Sequence, residues 1–106
     1  MNVRIGCDIV HLKRFEKISK ETRERVFHPS ELKNANSETL AGIFAAKESC
    51  KKVFNDLDWH DIEVKRKKNG RPELIISTKK PIVSHDLSIA HDGEYVMATA
   101  IFLMSE

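Results

Sequence analysis

Two places in the chain put charge where a folded protein ordinarily puts carbon. Asp8 follows a strand-like start, Val3-Arg4-Ile5-Gly6-Cys7-Asp8-Ile9-Val10, and Lys47-Glu48 interrupts the apolar side of a helical stretch at Phe44-Ala45-Ala46-Lys47-Glu48. Charged groups near a core need partners, shift their pKa values or bind metal. Two carboxylates from separate elements, Asp8 and Glu48, suit Mg2+, which takes few protein oxygens and completes its shell with water and substrate phosphates. Lys47 beside them and His91 further on would add positive charge for phosphate oxygens. That set fits phosphoryl-type transfer, in which positioning and charge neutralisation outweigh covalent chemistry. Singly, each residue has a plainer explanation. Asp8 would cap a following helix, Lys47 would run its stem to water, Glu48 would pair with Lys51 or Lys52, and His91 would be a solvated strand-end histidine.

The elements that must position these residues follow from periodicity. Residues 2–10 read as a strand. His11 to about Lys20 reads as a helix, with Leu12, Phe15 and Ile18 on one side and Lys13, Arg14, Lys17 and Lys20 forming a basic face. An irregular piece runs through Arg25-Val26-Phe27, and Pro29 suits the start of a short helical turn, Ser30 to Asn34. The clearest element is a helix from about Ser37 to Phe54, capped by Asn36 or Ser37. Its apolar stripe is Leu40, Ile43, Phe44, Cys50, Val53 and Phe54, with Lys47 on the stripe and Glu48 at its edge. Two hairpins follow: Ile62 and Val64 turn through Asn69-Gly70, a type I′ signal, to Leu74-Ile75-Ile76, and Leu87 to His91 turns through Asp92-Gly93 to a strand from Glu94 to Leu103. This order predicts an α+β fold, a mostly antiparallel sheet packed against one long helix.

Composition bounds the function. The 106 residues make one small domain, 1–106, and the net charge of +2 does not argue for nucleic acid. Cys7 and Cys50 have no metal-site spacing and no secretory leader precedes them, so they are expected to be reduced, buried thiols of a cytoplasmic protein. No apolar run reaches the ~20 residues that cross a bilayer. Neither a glycine-rich phosphate loop nor a nucleophile elbow is present. The run Lys65-Arg66-Lys67-Lys68 with Arg71 flanks a turn and is explained by solvation.

Four motifs, in order, then resemble one family. Gly6-Cys7-Asp8-Ile9-Val10 with Lys13-Arg14 is similar to the opening of the holo-acyl-carrier-protein synthases, the small class of 4′-phosphopantetheinyl transferases. Phe44-Ala45-Ala46-Lys47-Glu48-Ser49-Cys50-Lys51 resembles their central helix motif. Trp59 to Val64 with Asn69-Gly70-Arg71-Pro72 resembles their hairpin, and Leu87-Ser88-Ile89-Ala90-His91 with Tyr95 and Ala98 resembles their ending. The resemblance implies transfer of the phosphopantetheine arm of coenzyme A to a serine of an apo acyl carrier protein, with release of 3′,5′-ADP, in fatty-acid biosynthesis. It implies Mg2+ on Asp8 and Glu48, and Glu48 as the acceptor of the serine proton. Lys47, Lys51, Ser88 and His91 would meet coenzyme A, with Lys47 aiding the leaving group. Lys13, Arg14 and Lys17 would meet the acidic carrier protein, and a homotrimer would share its sites between subunits. A non-catalytic module that docks an acidic partner through the same basic face is the competing reading. Neither reading involves nucleic acid or a membrane.

Overall fold

A computed structural model describes residues 1–105. Strand β1 (Asn2–His11) leads into a 3-10 turn (Leu12–Phe15), and the short helices α1 (Lys20–Val26) and α2 (Pro29–Leu32) follow. Helix α3 (Ser37–Val53) precedes a second 3-10 turn (Trp59–Asp61) and four strands: β2 (Ile62–Arg66), β3 (Pro72–Ile76), β4 (Ile82–Asp92) and β5 (Tyr95–Met104). The strands form two antiparallel sheets, β1-β5-β4 and β2-β3. The α+β expectation therefore holds, with its strands divided between two sheets.

Helix α3 runs between the two sheets. Leu40, Ala41, Ile43, Ala45, Ala46, Lys47, Ser49 and Cys50 are all buried, so more than one side of the helix is covered. Asn36 caps it: the side-chain carbonyl accepts from Thr39 N at 2.8 Å, satisfying an amide that the helix leaves unpaired. Toward the three-stranded sheet the packing is close. The Ser49 hydroxyl lies 2.7 Å from Ala45 O and 3.0 Å from Ala98 O, bridging α3 to β5. Gly6 on β1 faces the Ser49 carbonyl so tightly that a methyl group there would collide with the helix backbone. Strand and helix could not approach this closely with any side chain in that position.

Strand alternation sorts the sheet residues. Val96, Ala98, Ala100, Phe102 and Met104 of β5 are buried against α3, while Tyr95, Met97 and Ile101 point away from it. Register puts Val3, Ile5, Cys7 and Ile9 on the same outward face, opposite Leu103, Ile101, Thr99 and Met97. Cys7 is thus exposed and only Cys50 is buried, contrary to the expectation of two buried thiols. Burial raises the Cys50 thiol from 9.0 to about 12, because a thiolate is poorly solvated among apolar groups.

The helix expected from His11 to Lys20 does not form. The β1–β5 ladder extends to the pair His11↔Tyr95. His11 Nδ1 then accepts from Lys13 N at 3.2 Å, so His11, and not Asp8, caps the 3-10 turn. Ser19 restarts the helix, its hydroxyl accepting from Thr22 N at 3.1 Å, and α1 occupies much of the stretch read as irregular. Lys13, Arg14, Lys17 and Lys20 consequently lie on a turn, a connector and a helix start rather than on one helix face. The turns also differ in detail. Among the described non-glycine residues only Asn34 has a positive φ, so positive φ is confined to Gly70 and Gly93 in the hairpins. A type I′ turn needs two such residues. The first hairpin instead closes with Gly70 N donating to Lys67 O at 2.9 Å, followed by left-handed Gly70.

The close approach at Gly6 predicts that Gly6→Ala lowers stability by about 1–3 kcal/mol, the usual cost of overpacking. Urea unfolding checks it; an unchanged midpoint would contradict the packing described.

Candidate functional site

Asp8 lies on the inner face of β1, opposite Ala98, where the strand passes the C-terminal half of α3. Its Oδ1 accepts from Lys52 Nζ at 3.1 Å, and the same ammonium donates to Cys7 O at 2.8 Å. Glu48 is one helical turn before Lys52, so the two share a side of α3. The Glu48 side chain is half-buried and lines a cleft of about 290 Å3 with Arg14, Thr22, Arg25, Phe44 and Trp59 among its walls. Asp8 on β1 therefore holds the Lys52 ammonium, and Glu48 lies one helical turn before that lysine on α3.

That donor set fits a hard divalent cation. It offers only carboxylate oxygens, and a cationic group already occupies one of them, as a metal would. Among the described residues no three His, Cys, Asp or Glu side chains cluster.

Lys47 is elsewhere. Its side chain and that of Glu31 are both 0% exposed, with Nζ 2.7 Å from Glu31 Oε1. Nζ also donates to Val26 O at 2.7 Å and to Trp59 O at 3.3 Å. All three ammonium hydrogens thus have acceptors inside the protein. Glu31 is equally engaged: Oε1 accepts from His28 N at 2.7 Å and Oε2 from Val64 N at 2.8 Å. Burial pulls the Lys47 ammonium below its ordinary pKa, and the bonded Glu31 carboxylate opposes that shift. The expectation that Lys47 contacts phosphate and aids a leaving group is corrected here, as is the alternative that it reaches water. An ammonium sealed from solvent with every hydrogen used meets no ligand. Glu31 carried no sequence signal of its own, but a lysine on an apolar stripe implies a buried carboxylate somewhere.

The other site residues divide. Lys51 is half-buried, its Nζ 3.7 Å from the centroid of the Trp59 ring. Arg14 Cζ lies 5.0 Å from the Phe44 centroid, so Arg14 is at the Glu48 cleft, while Lys13 and Lys17 are exposed nearby in sequence. His91 sits at the other end of α3, 3.5 Å from Glu38. It borders a separate hollow of about 440 Å3 with Lys33, Lys65, Arg66 and Pro72. The ten residues from Glu38 to Glu48 span about 15 Å of helix, so a single chain does not bring His91 to Glu48. Ser88 pairs with Thr99 on the outward face of the sheet, opposite to the face that carries His91. In the sequence Lys52 stands out only as a helix partner of Glu48, and its spacing of four residues from that glutamate is the available signal.

Residues 4–100 match the 4′-phosphopantetheinyl transferase superfamily. The chain belongs to that superfamily, whose members are enzymes. Among similar proteins, the holo-[acyl-carrier-protein] synthase of Frankia alni is 37% identical, over 93% of this chain and 95% of the relative. The structure of the Helicobacter pylori holo-[acyl-carrier-protein] synthase in complex with coenzyme A is 32% identical, covers 94% of this chain and 100% of that one, and superposes with a TM-score of 0.83. The Bacillus anthracis holo-(acyl-carrier-protein) synthase, in complex with coenzyme A (3′,5′-ADP), is 34% identical over 95% of this chain and 96% of that one, with a TM-score of 0.82.

Removing one member of the buried pair, by Lys47→Met or Glu31→Leu, is expected to cost about 3–5 kcal/mol because the other charge is stranded, whereas the double replacement costs much less. Denaturant unfolding of the three variants checks this. Additive losses in the double variant would contradict a closed ion pair.

Proposed function

We propose that the chain is a holo-[acyl-carrier-protein] synthase, which moves the 4′-phosphopantetheine arm of coenzyme A to a serine of an apo acyl carrier protein. The observation that carries this reading is the Asp8 carboxylate held by Lys52, with Glu48 one helical turn before that lysine, on a fold shared with coenzyme A-bound synthases. The serine hydroxyl attacks the phosphorus that bears the pantetheine arm. The new phosphorus–oxygen bond forms as the bond to the departing 3′,5′-ADP breaks, and the serine proton passes to Glu48. Mg2+ held by Asp8 and Glu48 would neutralise charge that builds on the phosphoryl oxygens.

Lys51 supplies a phosphate contact from α3, with Ser88 and His91 as the further coenzyme A contacts. Arg14, with Lys13 and Lys17, meets the acidic carrier protein, and a basic patch of this kind favours fast, salt-sensitive docking. The separation of His91 from Glu48 supports a shared site, in which a neighbouring subunit brings its own His91 to this Glu48.

A homotrimer suits the outward face of the β1-β5-β4 sheet. Val3 is 64% exposed, Ile5 65% and Ile9 63%, with Tyr95, Met97 and Ile101 beside them. A continuous apolar patch of that extent on a folded chain marks an interface. Placement in the cytoplasm and in fatty-acid biosynthesis accords with this activity. Among the described residues no helix is long and apolar enough to cross a membrane.

Incubation with apo carrier protein, coenzyme A and Mg2+ should add the mass of one phosphopantetheine group to the carrier, and chelation of the metal should stop it. Glu48→Gln and Asp8→Asn should each lower the rate by about 100-fold or more while staying folded by circular dichroism. No mass gain with wild-type protein across several carriers would refute the activity, and wild-type rates in both variants would refute the metal pair. Sedimentation should give about three times the 12.2 kDa chain mass, and Ile5→Glu should give monomers; a monomeric wild-type protein would contradict the shared site.

A further inference from the structure

We propose that Trp59 is a positioning residue, whose indole holds the Lys51 ammonium on its face and keeps it from closing on Glu48. The inference rests on the proposed function, since it assigns the target of Lys51, but the contacts behind it stand independently.

Four side chains form a continuous stack in the order cation, ring, ring, cation. Arg14 Cζ lies 5.0 Å from the centroid of Phe44. The Phe44 and Trp59 centroids are 5.3 Å apart with their planes 25° from parallel. Lys51 Nζ lies 3.7 Å from the centroid of Trp59. An ammonium within about 6 Å of an indole is attracted by the ring quadrupole, and tryptophan is the strongest of the aromatic partners. The stack joins a residue assigned to the carrier protein at one end to a residue assigned to coenzyme A at the other.

The stack is anchored on both sides. Phe44 touches Phe15, their centroids 5.2 Å apart, and Phe15 is buried in the core. The Trp59 backbone carbonyl accepts from buried Lys47 at 3.3 Å. The ring itself is only half-buried, so it serves as a wall of the Glu48 cleft more than as core filling.

The consequence follows from helix spacing. Lys51 is three residues after Glu48, the distance at which a lysine and a glutamate on one helix pair readily. Such a pair would consume a carboxylate needed for metal and proton. A lysine side chain is also flexible, and fixing it costs rotamer entropy. The Trp59 face removes both problems by giving the ammonium a competing site off the carboxylate.

Trp59 is the only tryptophan in the chain, so its emission reports on the stack without labelling. Lys51→Met should raise the emission yield, because an ammonium over an indole quenches it. Trp59→Leu should weaken coenzyme A binding, measured calorimetrically, by roughly 2- to 30-fold, the range of cation–π strengths, and Trp59→Phe should recover most of that loss. Urea unfolding of each variant separates lost binding from lost fold. Unchanged emission in Lys51→Met would overturn the contact. Unchanged affinity in a folded Trp59→Leu, or no recovery with phenylalanine, would overturn the positioning role. A wild-type protein that binds no coenzyme A would overturn the proposed function and the target of Lys51 with it, while the emission result would still report on the contact.

Discussion

The ion pair between Lys47 and Glu31 is the constraint around which the site side of the molecule is arranged. One ammonium on α3 holds the end of α1 through Val26, the 3-10 turn through Trp59 and helix α2 through Glu31. The same carboxylate reaches the first amide of α2's approach, at His28, and the β2 strand at Val64. A buried charge pair of this kind is not a cheap source of stability, since desolvation offsets much of its attraction. What it supplies is a unique arrangement: any slippage of α2 or β2 along α3 would strand a charge or leave a peptide group without a partner.

That arrangement turns the next residue along the helix, Glu48, toward the cleft. Lys47 points into the protein and Glu48 into the cleft, so adjacent residues face opposite environments. Gly6 performs a related task on the opposite side. By letting β1 press against α3 at Ser49, it brings Asp8 beside the helical turn that carries Lys52 and Glu48. The Lys52 ammonium there pairs with Asp8. With the Lys52 side chain 53% exposed, that pair is a solvent-screened one.

Much of this was legible in the residues. Helix α3 was readable from its apolar repeat and its Asn36 cap, because local periodicity and capping chemistry decide a helix of that length. The two hairpins were readable from Asn69-Gly70 and Asp92-Gly93, where glycine supplies the positive φ that the turns require. The stretch after Asp8 was not, because ladder pairing with β5 through His11 is a long-range interaction that overrides a helical pattern. The direction of Lys47 was equally hidden. Its position on an apolar stripe signalled burial, but the partner, Glu31, sits on another helix and follows no local spacing. The separation of His91 from Glu48 belongs to the same class, since only the fold reveals that they occupy opposite ends of α3.

The proposed chemistry requires Asp8 and Glu48 to share one cation. The most direct measurement is the anomalous difference map of crystals grown with Mn2+ and coenzyme A. A peak in contact with both carboxylates, with Lys52 drawn away from Asp8, is the predicted result. A peak that touches neither, with Lys52 still bonded to Asp8, would contradict it.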